Sequence, residues 1–211
     1  MHPTTVATQI PSHVWLNWFD AVVLIVILLG FRSGRKHGMS EELIITLQWI
    51  AIIAAGAFLY RPLGDMLAMS SPVSHLFCYI AMYVALAIVT KLVFAGFKKA
   101  IGGKLIGSDV FGAGEYYLGM VAGGVRYACM LVAGMALLNA PYYSAADIAA
   151  AKAYTMQNYG SNFFPEMFQI QQDVFKESIV GTLIKKNADI LLIASTKSEV
   201  VNVQRRKDDL P

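Results

Sequence analysis

The chain has 211 residues, 56% of them hydrophobic and only 15% charged, with a mean hydropathy of +0.53. Disordered chains are poor in apolar residues, and soluble domains carry about 25% charged residues, so both classes are excluded. Two Cys cannot staple a chain of this size, and a net charge of +3 without a basic face does not point to nucleic acid; the composition is that of a membrane protein.

Charge divides the chain. Residues 1–140 hold nine basic and six acidic groups, whereas the last 71 residues hold eight of each, an ordinary density for water-exposed chain. The expected organisation is an extracytoplasmic segment over 1–14, a transmembrane domain over 15–140, and an extracytoplasmic helical tail over 141–211. The fold class this gives is all-α, with four transmembrane helices in two hairpins and a C-terminal amphipathic tail.

A helix crosses the hydrocarbon core with about 20 mainly apolar residues. Four stretches meet that requirement. The first runs from Trp15 to Phe31, with Asp20 as its one charge, and ends in Arg32. A cleaved signal peptide would need a basic start, and residues 1–16 contain no Lys or Arg. The second, Leu43 to Tyr60, is free of charge and is stopped by Arg61-Pro62. The third runs from Leu76 to Phe97 around Lys91, whose long stem can carry its ammonium to the surface. The fourth runs from Tyr117 to Leu138, with Arg126 inside it and Asn139-Ala140-Pro141 after it. Trp15, Trp18, Tyr60, Tyr116, Tyr117, Tyr142 and Tyr143 stand near the ends, as interfacial aromatics do. In the tail, Pro165 to Lys186 has apolar residues mostly three, four or seven apart and is predicted to be one amphipathic helix. A short apolar helix is expected over Ala188–Ala194, and Arg205-Arg206-Lys207-Asp208-Asp209 as a disordered end.

Arg32, Arg35 and Lys36 follow the first stretch, and Lys98, Lys99 and Lys104 follow the third. Basic residues favour the cytoplasmic side. Both basic connections are therefore expected in the cytoplasm and both termini on the other side.

The order of features resembles the CvpA family, the colicin V production proteins of bacterial inner membranes. The residues that carry the resemblance are Asn17-Trp18-Phe19-Asp20, His37-Gly38-Met39-Ser40-Glu41-Glu42, and Leu118-Gly119-Met120-Val121-Ala122-Gly123-Gly124-Val125-Arg126. Family members commonly have Arg-Gly where His37-Gly38 stands, and Gly where Tyr127 stands. The resemblance implies a multi-pass inner-membrane protein linked to toxin production or export and to envelope homeostasis, and no enzyme class.

Arg126 lies nine residues from Tyr117 and twelve from Leu138, and an Arg at mid-span costs roughly 2.5–3.5 kcal/mol. Two readings stand. Its side chain snorkels to the headgroups past Gly119, Ala122 and Gly123, or it pairs with a buried acid, for which Asp20 is the candidate by helix rise. Asp20 can equally be a helix-start carboxylate. Glu41 and Glu42 suit the first turn of the second stretch, complementing its dipole or pairing with Arg32, Arg35 or Lys36. Asp20, Arg126 and Glu42 are the candidate functional charges.

Gly30, Gly34 and Gly38, spaced by four, and Gly119 with Gly123 are the candidate helix-packing glycines, joining helices within the chain or between copies. No HExxH, GxSxG, GxxxxGK[ST] or paired CxxC motif occurs. Neither a cofactor nor a metal is expected, and the scattered His2, His13, His37 and His75 suggest no site. The expected partners are the lipid bilayer and a second copy or other envelope proteins, not nucleic acid. The leading function is non-enzymatic support of toxin production, export or envelope upkeep; the alternative is a small oligomeric channel or transporter.

Overall fold

The computed structural model describes residues 17–70, 73–106, 112–159 and 166–197. Three helices in it are long and apolar enough to cross a membrane. They are α1 (Trp18–Ser70), α2 (His75–Ile106) and α3 (Glu115–Asn139), the last preceded by a 3₁₀ turn at Gly112–Gly114. Their outward sides are apolar: Leu24, Ile25 and Leu28 on α1, Ile88, Val89 and Leu92 on α2, and Val121 and Val125 on α3 are all exposed. Water would not support so much exposed apolar surface, and a bilayer does. The chain is an all-α membrane protein.

At 53 residues, α1 would be about 80 Å long if straight, far more than a core of about 30 Å. It is not straight. Gly38 has φ +74° and ψ 171°, outside the helical region and accessible essentially to glycine alone. The first arm of α1 (18–37) and the second (39–70) then lie against the same helix. On the first arm Gly30 meets Gly123 and Gly34 meets Gly119. On the second, Glu42 reaches Arg126 and the Thr46 hydroxyl donates to the Ala122 carbonyl at 3.1 Å. Phe19 and Tyr60, near opposite ends of α1, share one core cluster with Met135, Ala136 and Ala140 at the end of α3. α1 thus doubles back at Gly38, and α2 packs on it through Tyr83 against Gly56 and Tyr79 against Gly64.

Several expected boundaries move. Arg32, Arg35 and Lys36 belong to the first arm, not to a loop, because the helix runs on to Gly38. Pro62 does not stop the second arm; its missing N–H leaves out one helical bond, at exposed residue Phe58, while Tyr60, Gly64 and Asp65 hold the helix on Tyr79. The tail is not one helix over 165–186. It begins with α4 (Ala145–Tyr159), an unexpected helix of strong formers with few large apolar residues, and continues with α5 (Met167–Gln172), a π turn (Asp173–Glu177) and α6 (Ile179–Asn187). Extended Ser178 separates the last two, and Gly181 lets the Val174 carbonyl approach where a Cβ would stand. Only a 3₁₀ turn (Asp189–Leu191) forms within 188–194. Strands β1 (Pro141–Tyr142) and β2 (Thr196–Lys197) pair in parallel and fasten the tail to the end of α3. The expected segment 1–14 and the basic end at 205–209 lie outside the described residues.

Candidate functional site: a buried glutamate–arginine pair

The turn at Gly38 sets Glu42, one helical turn along the second arm, opposite Arg126 of α3. Arg126 Nη1 donates to both Glu42 carboxylate oxygens, at 2.7 and 3.0 Å. Its Nη2 donates to Ser33 Oγ on the first arm at 3.1 Å. The guanidinium also lies 4.9 Å from the centre of the Tyr127 ring. One cation therefore ties both arms of α1 to α3. Glu42 is completely buried and Arg126 is 9% exposed.

His37 closes the site on its open side. Its Nδ1 lies 2.9 Å from the Ser33 carbonyl and 3.7 Å from Glu42 Oε1, and its side chain is half exposed. Among the described residues three buried polar atoms, Arg126 Nε, Ser40 Oγ and Tyr83 Oη, have no hydrogen-bond partner. The arrangement holds charge and fixes helices. Among the described residues no cluster of three metal-ligating side chains occurs.

The glycines bring the backbones together beside this pair. A Cβ on Gly34 would fall on the Gly119 carbonyl, and one on Gly119 would come within 2.6 Å of the Gly34 carbonyl oxygen. Gly30, Gly34 and Gly38 thus face Gly119 and Gly123 inside one chain. This contact determines how near the Ser33 and Glu42 side chains come to α3.

Asp20 does not meet Arg126. Its two carboxylate oxygens accept the Ile179 and Val180 N–H groups of α6, each at 3.1 Å. Ser178 Oγ accepts Gly181 N–H at 2.8 Å, and Ser178 N–H itself donates to the Asp173 carbonyl at 3.0 Å. All four orphan donors of the α6 N-terminus are thereby satisfied. Beside it, Asn17 Nδ2 donates to the Asp173 carbonyl and Trp18 Nε1 to the Asp173 carboxylate. Helix rise brings Asp20 and Arg126 to similar depth, but the amides of the folded tail take up Asp20 and Glu42 takes up Arg126. Glu42, in turn, leaves Arg32, Arg35 and Lys36 to solvent and turns inward.

The same end of the bundle is closed by Asn139. Its Nδ2 donates to the Ile193 carbonyl at 2.9 Å, and its Oδ1 accepts Lys185 Nζ at 3.0 Å. Gln171 Nε2 donates to the Leu138 and Pro141 carbonyls, and Ala194 N–H donates to the Tyr60 hydroxyl. Sequence spacing offers no signal for Asn139 beyond its place at a helix end, where unpaired carbonyls need donors.

No curated protein and no solved structure matches the chain. The family model described as colicin V production protein matches residues 19–168, from the start of α1 into the tail, and so spans the hairpin, Glu42, Arg126 and Asn139. The chain belongs to the colicin V production protein family.

Proposed function

We propose that the chain is a non-enzymatic protein of the bacterial inner membrane that supports production or export of a colicin V-type toxin, or upkeep of the envelope. The observation that carries this reading is the family match over 19–168, and the family is not a known enzyme family. In this reading the chain crosses the membrane four times with both termini periplasmic, and the doubling back of α1 at Gly38 supports the fourth crossing. Glu42 and Arg126 then act as a clasp that keeps the hairpin closed, and the bilayer and other envelope proteins, or a second copy, are its partners.

The test is complementation. A producing strain that lacks the gene is expected to secrete less toxin or to raise envelope-stress signalling, and the wild-type gene restores both. Restoration by Glu42→Ala at normal protein level removes the clasp from the function. Unchanged secretion and stress in the deletion strain removes the role itself. Solute flux through liposomes carrying the purified chain, abolished by Arg126→Ala, would put a channel in its place.

A further inference from the structure

Three cations gather where the first arm of α1 ends. Arg32, Arg35 and Lys36 are exposed and, by their spacing of three and four, share one face of the helix. Among the described residues none of them has an acidic partner: the ion pairs there are Arg126 with Glu42 and His37 with Glu42. The nearest acid at the start of α3, Glu115, is turned toward Gly38. The cations line an open groove of about 780 Å³, whose other wall is Phe31, Tyr116 and Tyr117. Both tyrosines are more than half exposed.

We propose that this groove holds the phosphate headgroup of an anionic phospholipid from the membrane leaflet at the Gly38 end of the bundle. Arg32 lies about 21 Å along the helix from Trp18, and Lys36 about 27 Å. In a hydrocarbon core of about 30 Å Lys36 therefore stands at the headgroup boundary, and Arg32 and Arg35, just below it, reach it with their long stems. Guanidinium groups match phosphate oxygens with a planar fork of donors, and the lysine adds a mobile point charge. Tyr116 and Tyr117 present rings to the glycerol region and hydroxyls to water, as interfacial aromatics do. A free phosphate ion would use the three cations and gain nothing from the aromatic wall. The lipid uses both. The proposal rests on the membrane reading alone, not on a role in toxin production.

The test uses the full chain purified in mild detergent, with bound lipid read by native mass spectrometry. Phosphatidylglycerol is expected to be retained and phosphatidylcholine not, with tens of millimolar inorganic phosphate failing to displace it. The Arg35→Gln/Lys36→Gln variant is expected to lose roughly ten- to thirtyfold in affinity, at about three- to fivefold per basic residue near an anionic surface. Arg35→Lys should keep most of it. Equal retention of the two lipids, displacement by phosphate, or an unaltered double variant would overturn the proposal. A photoreactive phosphatidylglycerol on the wild-type chain makes the outcome independent of how the variants fold. Cross-links within 31–36 and 116–120 are expected, and cross-links confined elsewhere would sink the idea.

Discussion

Replacing Glu42 by Gln leaves the Arg126 guanidinium buried without a counter-charge, and Arg126→Ala does the same to Glu42. Breaking a buried pair from one side costs about 3–5 kcal/mol, while replacing both members by apolar residues is often far milder. Each single variant is therefore expected to lose folded protein on heating in detergent, and Glu42→Leu/Arg126→Met to recover part of the loss. Asp20→Asn combined with Arg126→Gln should instead give additive damage, because the two charges share no partner. Coupling between Asp20 and Arg126 as strong as between Glu42 and Arg126 would contradict the geometry. Gly38→Ala tests the turn: a side chain at φ +74° costs about 1–3 kcal/mol and would also press on Glu115. Arg126 was legible in the sequence, since a mid-span guanidinium needs a partner or a route to water. Its partner was not. Glu42 reads as a first-turn acid until the reversal at Gly38 is known, and a lone Gly beside basic residues states neither the sign of its φ nor how sharply the chain turns.

Among the elements, α6 depends most on a distant residue. Asp20 accepts two of its N-terminal amides, and loss of a capping side chain costs about 0.5–2 kcal/mol. Asp20→Ala is expected to speed hydrogen exchange at Ile179 and Val180 and leave the amides of α3 near Arg126 unchanged. Equal loss of protection in both places would mean that Asp20 supports the whole bundle and not this helix end. α4 carries its own cap: Ser144 donates its hydroxyl and its N–H to the Asp147 carboxylate, which returns the contact through its backbone N–H. These donors, the hydroxyl first, hold the Asp147 carboxyl below the usual range. A lowered carboxyl stabilises fully above its unfolded value and loses that contribution as pH falls through the lowered one. The amide of Ile148 is thus expected to lose protection only in acid, and Ser144→Ala to move the onset to higher pH. The long apolar stretches were readable by composition to within a few residues at several ends. The tail was less so, because its period of three and four runs on through Ser178, where capping interrupts the helix, and because α4 lacks the apolar stripe that reveals a helix.

At the scale of the whole molecule, the reversal at Gly38 determines on which side the chain ends. Three long apolar helices, each crossing once, would leave the two termini on opposite sides. If both arms of α1 cross, the number is four and the termini share a side. The arms have the lengths this requires: about 30 Å for residues 18–37 and about 48 Å for 39–70, the second long enough to span with tilt or to project beyond the core. The tail adds an independent constraint, since Trp18 and Asp20 at the start of α1 and Asn139 at the end of α3 hold the same folded segment. In the four-crossing reading proposed above, these three residues lie at one face of the bilayer, as an even number of crossings between them requires. The proposed orientation puts the opposite face, with Arg32, Arg35, Lys36, Lys98 and Lys99, in the cytoplasm, where basic residues are favoured. Alkaline phosphatase fused after Pro211 is accordingly expected to be active, and the same enzyme fused after His37 to be silent. A silent fusion at Pro211 with an active one at His37 would keep four crossings and invert them. Activity at both positions would mean that the second arm lies along the surface; Asp20 and Asn139 could then not hold one tail, and the clasp between Glu42 and Arg126 would lose its place inside the membrane.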